Sequence, residues 1–131
     1  MYLMLTERCN MLCDHCCGAY TAQGNDIDLE TFKQALRVAY DCGMHLVLGG
    51  GEPTLHPQVW EMIGLCLDYE IESFGMVTNG SDTEMSLRLL HLATGDEDRF
   101  WIALSQDQWH DPIDQKVVRA FDIVRATRSI Q

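Results

Sequence analysis

The 131-residue chain is 47% hydrophobic and 22% charged, close to globular averages, which excludes a disordered or low-complexity polymer. Its formal net charge of −11 is not reversed by protonating all 5 histidines, so nucleic-acid phosphate and anionic membrane surfaces are not expected partners. No run of 18 apolar residues is present, and Met1 to Leu5 lead into Thr6-Glu7-Arg8 without the basic and long apolar regions of a signal peptide; the expected compartment is the cytoplasm, where thiols stay reduced.

In chain order, Tyr2-Leu3-Met4-Leu5 is a short apolar run that reads as a first strand. The polar stretch Gly18 to Ile27 reads as a loop. Asp28 is placed to cap a helix whose Leu29, Phe32, Leu36 and Ala39 make one stripe, with Gly43 as its stop. His45-Leu46-Val47-Leu48 is a buried-strand pattern ended by three glycines. Pro57 suits the first position of a second helix carrying Val59, Ile63, Cys66 and Leu67 inward. Ser73 to Val77 is a third strand, and Ser81 with Glu84 makes a capping box for a third helix facing inward with Met85, Leu89, Leu92 and Ala93. Phe100 to Leu104 is a fourth strand; Asp111-Pro112 opens a fourth helix with Val117, Phe121 and Val124. This βα unit occurs four times, at a period of roughly 30 residues, with no linker to divide the chain. It predicts one α/β domain over residues 1–131, with parallel strands, outer helices and right-handed crossovers, as a parallel barrel or an open sheet.

Each strand runs directly into a chemically loaded loop. These are Cys9-Asn10-Met11-Leu12-Cys13-Asp14-His15-Cys16, then Gly49-Gly50-Gly51-Glu52-Pro53-Thr54, then Thr78-Asn79-Gly80, then Ser105-Gln106-Asp107-Gln108-Trp109-His110. In a parallel α/β sheet all such loops emerge at the carboxyl ends of the strands, where sites are built. Three consecutive glycines let backbone amides approach a ligand closely, and Glu52 beside them offers a carboxylate to an ammonium group. The glycine loop is not a phosphate-binding P-loop, because no Lys-Ser/Thr follows it. Ser105 and Asp107 suit hydrogen bonds to a sugar or a carboxylate, while His110 reads as a surface loop residue.

Six cysteines are present, and Cys9, Cys13 and Cys16 fall within eight positions. The C-x3-C-x2-C spacing, in a chain with no sign of secretion, favours metal or cluster binding over disulfides. Three thiolates from one loop suit a cubane iron–sulfur cluster with one open iron. Zinc, with His15 or Cys17 as fourth ligand, is the alternative. Cys42 and Cys66 read as small buried apolar groups.

Together, C-x3-C-x2-C after the first strand, GGEP after the second, TNG after the third and a Ser/Asp loop after the fourth resemble the radical S-adenosylmethionine (SAM) superfamily, from about Leu3 to Asp107. The resemblance implies a partial (β/α) barrel, a shortened form of that family's core. It implies a [4Fe–4S] cluster on Cys9, Cys13 and Cys16, with the fourth iron taking the amino and carboxylate groups of SAM. Gly50, Gly51 and Glu52 are then expected to hold the amino group, Ser105 and Asp107 to contact the carboxylate or ribose, and Thr78 and Asn79 to line the wall. The implied reaction is reductive cleavage of SAM to methionine and a 5′-deoxyadenosyl radical, which abstracts hydrogen from a substrate; a one-electron donor is a required partner. The family core usually has six βα units, and four are present here. The chain is therefore expected to be an enzyme with an open cleft or, alternatively, a non-catalytic iron–sulfur and SAM-binding module or fragment. A zinc-stabilised structural domain is the second alternative. With the first and fourth strands unpaired on an in-order sheet, Phe100, Trp101, Ile102 and Leu104 predict a homo-oligomer or a partner at the open edge.

Overall fold

The computed structural model describes residues 1–95 and 99–128. Four strands form one parallel sheet in the order β1-β2-β3-β4: β1 Tyr2–Thr6, β2 Leu46–Gly50, β3 Phe74–Thr78 and β4 Phe100–Leu104. Helices α1 Leu29–Asp41, α2 Val59–Asp68, α3 Thr83–Gly95 and α4 Gln115–Arg128 follow the strands in turn. This is the expected α/β architecture, an open sheet matching part of a (β/α) barrel. No helix among the described residues is long and apolar enough to cross a membrane.

The alternation of side chains along each strand divides the sheet into two faces. Leu5, Leu46, Leu48, Phe74, Met76 and Phe100 are fully buried in one core with Phe32 and Leu36 of α1, Met62 and Ile63 of α2, and Leu89 of α3. The opposite face stays open, with Tyr2, Met4 and Val77 exposed. Glycines let aromatic rings lie flat on this face: Tyr2 covers Gly49, and Trp101 covers Gly75, its register partner.

Helix starts show where side-chain chemistry overrode the simplest signals. Asp28 caps α1 as expected, accepting from the Thr31 amide at 2.8 Å. Helix α2 begins at Val59 rather than Pro57; residues Pro53–Leu55 form an unexpected short 3-10 helix before it, and the Gln58 amide at the helix start donates to His56 Nδ1 at 3.1 Å. Its buried residues are Val59, Met62, Ile63 and Cys66, so Met62 takes the place expected of Leu67. At α3 the cap is Asp82, whose Oδ1 accepts from the Met85 amide at 2.9 Å; Ser81 instead accepts from Asn10. Helix α4 starts three residues beyond Pro112, where Asp114 accepts from the Lys116 amide at 2.9 Å. Cys66 is buried, but Cys42 is exposed at the end of α1, contrary to the reading of both as core groups.

The two sheet edges differ. Beyond the cysteine loop the chain returns beside β1: the Ile27 amide donates to Leu5 and the Glu7 amide to Asn25, both at 2.8 Å, and Thr6 bridges Asp26. That edge is thus partly paired, which corrects the expectation of two bare edges. On the other side α4 packs on α3 and β4 and buries Val117, while Ile102 and Leu104 remain half-buried beside a cavity of about 740 Å³.

Candidate functional site

The carboxyl ends of the strands share one rim, with Thr6 in register with Gly50 and Thr78 with Leu104. Gly50 has φ of +128°, a conformation that side-chain-bearing residues rarely adopt, and a Cβ there would run into the Thr6 carbonyl. A Cβ on Gly51 would strike the Arg8 carbonyl and crowd the Cys9 Cβ at 3.2 Å. The close approach is fixed by hydrogen bonds: Gly50 N–H donates to the Tyr2 hydroxyl (2.7 Å), Gly51 N–H to Thr6 (2.8 Å) and Glu52 N–H to Arg8 (2.7 Å). Three successive amides are therefore engaged within the protein, clamping the β2 loop to the start of the cysteine loop.

The cysteine loop is anchored at both ends. Arg8 makes a two-pronged contact with Asp26 at 2.7 and 3.1 Å and donates to the Leu55 carbonyl at 2.7 Å. The Cys9 amide donates to Thr21 at 2.6 Å, Met11 is buried, and a turn closes from the Cys16 amide to Cys13 at 3.0 Å. Cys9, Cys13 and Cys16 are free thiols of intermediate exposure, whereas Cys17 is exposed. Burial, the Cys9 and Cys16 sulfurs, and the Asp111 and Asp107 carboxylates push the Cys13 thiol up. A backbone hydrogen bond at Tyr20, helped by those at Gly18 and Ala19 against the effect of burial, pulls the Cys16 thiol down. Burial first, and then the neighbouring sulfurs and carboxylates, oppose ionisation of Cys13, a cost that a positively charged metal centre removes where thiolates bind one. The residues present fit a thiolate-held cluster.

Glu52 is only 1% exposed. Its Oε1 accepts from the Thr54 amide (3.2 Å), the Thr54 hydroxyl (2.6 Å) and the Thr78 hydroxyl (2.8 Å), and its Oε2 accepts from the Asn79 amide (2.6 Å). Asn79 continues the chain of contacts: its Nδ2 donates to Asn10 Oδ1 at 3.0 Å and lies 3.9 Å from the Cys9 sulfur. The loops after β1, β2 and β3 are thus one polar network. Among the described residues no Lys, Arg or His forms an ion pair with Glu52. Behind the loop, His56 Nδ1 accepts from the Gln58 amide, so its Nε2 carries the proton and donates to the Ile27 carbonyl at 3.0 Å.

The loop after β4 meets that network through the Ser105 amide, which donates to the Thr78 carbonyl at 2.8 Å, while its side chains form a cluster of their own. Ser105 Oγ lies 3.2 Å from His110 Nε2, and His110 Nδ1 lies 2.8 Å from Asp107 Oδ1. A hydrogen bond from the Trp109 amide, then that from His110, holds the Asp107 carboxyl below its usual range. The His110 side chain is only 8% exposed, which corrects its reading as a surface residue. His15 reaches across from the cysteine loop, its Nε2 3.9 Å from Asp107 and its ring edge-on to His110 at 5.0 Å. The S-x-D-x-x-H spacing of residues 105–110 is the signal that could have revealed this cluster. The cavity of about 740 Å³ beside β4 contains none of these groups.

Comparison with known proteins agrees with this architecture. The model of the Radical SAM superfamily matches residues 3–127, and the chain belongs to that superfamily. It is similar to a GTP 3′,8-cyclase of Synechococcus sp. (strain CC9902), 34% identical over 93 residues, covering 66% of this chain and 27% of that protein. A PqqA peptide cyclase of Methylobacterium sp. (strain 4-46) is 32% identical over 79 residues, 58% of this chain and 21% of that protein. The molybdenum cofactor biosynthesis protein 1 of Drosophila melanogaster is 31% identical over 84 residues, 60% and 15% respectively. The matched segments thus span about a quarter or less of these relatives.

Proposed function

We propose that the rim binds a [4Fe–4S] cluster through Cys9, Cys13 and Cys16 and uses it with SAM. When bound, the cluster supplies the electron that cleaves the SAM sulfonium, yielding methionine and the 5′-deoxyadenosyl radical that abstracts hydrogen from a substrate. The observation that carries this reading is the buried Glu52 carboxylate, joined through Asn79 to Cys9 and lacking a cationic partner among the described residues. Buried charges are normally paired, and the SAM ammonium is a cation of suitable size. Oε1 already has three protein donors and Oε2 has one, so Oε2 is the oxygen with capacity left for the ammonium.

The chain's residues then divide the work. Gly50 and Gly51 bring the backbone of the β2 loop against the cysteine loop; their amides are engaged, so a bound ammonium would use carbonyl oxygens there. Thr78 and Asn79 fix the Glu52 carboxylate and form the wall beside it. Ser105 and Asp107 contact the carboxylate or ribose of SAM. Arg8, through Asp26 and Leu55, holds the loop that presents the thiols.

The substrate is left open, and the chain's charge of −11 argues against a nucleic acid. The deciding experiment is anaerobic iron–sulfur reconstitution followed by incubation with SAM and dithionite. The expected results are a SAM-dependent change in the EPR signal of the reduced cluster and formation of 5′-deoxyadenosine. A reconstituted cluster that neither responds to SAM nor yields 5′-deoxyadenosine overturns the proposal. A response without cleavage would identify a binding module.

A further inference from the structure

Ser105, His110 and Asp107 form a hydrogen-bonded chain whose middle member has no part in the function proposed above. Asp107 Oδ1 accepts from the Trp109 amide at 2.8 Å and lies 2.8 Å from His110 Nδ1. An ionised carboxylate can only accept, so Nδ1 carries a proton and donates it to Asp107. In a neutral imidazole the other nitrogen then holds a lone pair and no hydrogen. With the imidazole neutral, Ser105, 3.2 Å from Nε2, donates its hydroxyl proton to His110. The ring is held in place as well as bonded: its side chain is 8% exposed, and the His15 ring stands edge-on at 5.0 Å. Asp107, by contrast, has a 48% exposed side chain, so the chain runs from a solvated carboxylate through a sheltered imidazole to the serine.

This direction of donation decides what Ser105 offers a ligand. Its one proton is committed to His110, leaving two lone pairs on Oγ. Such a hydroxyl suits a donor, such as a hydroxyl group, and is mismatched to a carboxylate. A serine without this partner could turn its proton either way.

We propose that His110 is a positioning residue, which holds the Ser105 hydroxyl as an acceptor for a hydroxyl-bearing part of the bound ligand and keeps a carboxylate away from that position. The inference rests on SAM occupying the rim, and it narrows the two contacts open to Ser105 to one.

The test uses the cluster-loaded chain under anaerobic conditions, with SAM affinity measured by equilibrium dialysis for wild type, Ser105→Ala, His110→Leu, His110→Gln and the Ser105→Ala/His110→Leu double variant. Each of the first two substitutions is expected to weaken SAM binding about 2- to 10-fold, as for loss of one neutral hydrogen bond. The double variant is expected to be no weaker than either alone, because His110 acts through Ser105. Gln can accept the serine proton, so His110→Gln is expected to bind within about twofold of wild type. With decarboxylated SAM as probe, the Ser105→Ala penalty is expected to persist. Losses that multiply in the double variant, undiminished binding by His110→Leu, or a penalty that vanishes with decarboxylated SAM each overturn the inference, provided melting curves show the variants folded. A His110→Leu chain that does not fold leaves His110→Gln and the decarboxylated probe to decide. Wild-type protein that holds its cluster but does not bind SAM overturns the function proposed for the rim, and this inference with it.

Discussion

Glu52→Gln is the substitution that separates a carboxylate holding the rim together from one that merely waits for a ligand. Gln keeps the shape, removes the charge and turns one of the two acceptor oxygens into a donor. Keeping its carbonyl at the Oε1 position retains three donors, two from Thr54 and one from Thr78. The new NH2 then faces the Asn79 amide, which now donates to Oε2 across 2.6 Å, so donor meets donor. A hydrogen bond to a charged group is worth about 1.5–3 kcal/mol, and a buried donor left unsatisfied costs about 1–3 kcal/mol. Relief of an unpaired buried charge returns part of that, so the net expectation is a loss of about 2–4 kcal/mol. Urea unfolding of the iron-free chain measures it with no ligand present. In the reconstituted variant SAM affinity is expected to fall further than iron content, because an ammonium loses the carboxylate outright while the cysteine loop keeps its contacts to Gly51 and Glu52 backbone. Unfolding within about 0.5 kcal/mol of wild type would refute the reasoning, since the four hydrogen bonds could not then be holding the loops.

Single replacement of Cys9, Cys13 or Cys16 by Ala is expected to abolish iron retention on reconstitution, while Cys17→Ala, Cys42→Ala and Cys66→Ala retain it; iron and sulfide analysis reads the outcome. Burial pushes the Cys66 thiol up to about 12, so native protein is expected to alkylate with iodoacetamide at exposed Cys42 and not at Cys66, as peptide mapping shows. Burial raises the Asp26 carboxyl, but hydrogen bonds from Thr6 and Arg8 and the Arg8 charge outweigh it and leave the value lowered. Its contribution to stability is therefore present above the unfolded value of about 3.9 and lost as pH falls through the lower folded one; Asp26→Asn should melt below wild type at pH 7, with the gap closing under acid. At the β4 edge, association of the 131-residue chain is expected at micromolar concentration and should strengthen with salt, which screens its charge of −11. Light scattering that shows only monomer at every salt concentration would remove that expectation.

Much of the fold was legible because hydrophobic period and capping chemistry agreed. The stripe of Phe32, Leu36 and Ala39 is buried behind an Asp28 cap, and Phe100–Leu104 forms β4 with the expected bounds. The misplacements share a cause. Pro57, Ser81 and Asp111-Pro112 are each compatible with a helix start, but a neighbouring group won locally. His56 engages the Gln58 amide at the start of α2, Asp82 out-competes Ser81 because Ser81 is drawn to Asn10 and Asn79, and Asp114 supplies the cap nearest α4. Those competitions depend on which loop lies alongside, and one-dimensional spacing does not carry that information.

The candidate site divides along the same line. The cysteines, Gly50, Gly51 and Glu52 were legible as residue types whose chemistry needs a neighbour, and the sheet brings their loops to one rim. What the sequence concealed was the wiring. Glu52 reads in isolation as a free carboxylate beside a flexible loop, yet it is buried among donors from Thr54, Thr78 and Asn79. Asn79 reads as half of a common turn, yet its side chain reaches Asn10 and the Cys9 sulfur. The parallel order β1-β2-β3 makes this possible, because it sets three loops side by side and lets the middle one touch both neighbours. Consequently the geometry of the thiols depends on groups from β2 and β3 that have no place in the C-x3-C-x2-C pattern. An Asn79→Ala chain would keep every cysteine and still lose the side-chain contacts to Asn10 and the Cys9 sulfur, leaving the Asn10–Ser81 hydrogen bond to tie the first loop to the third.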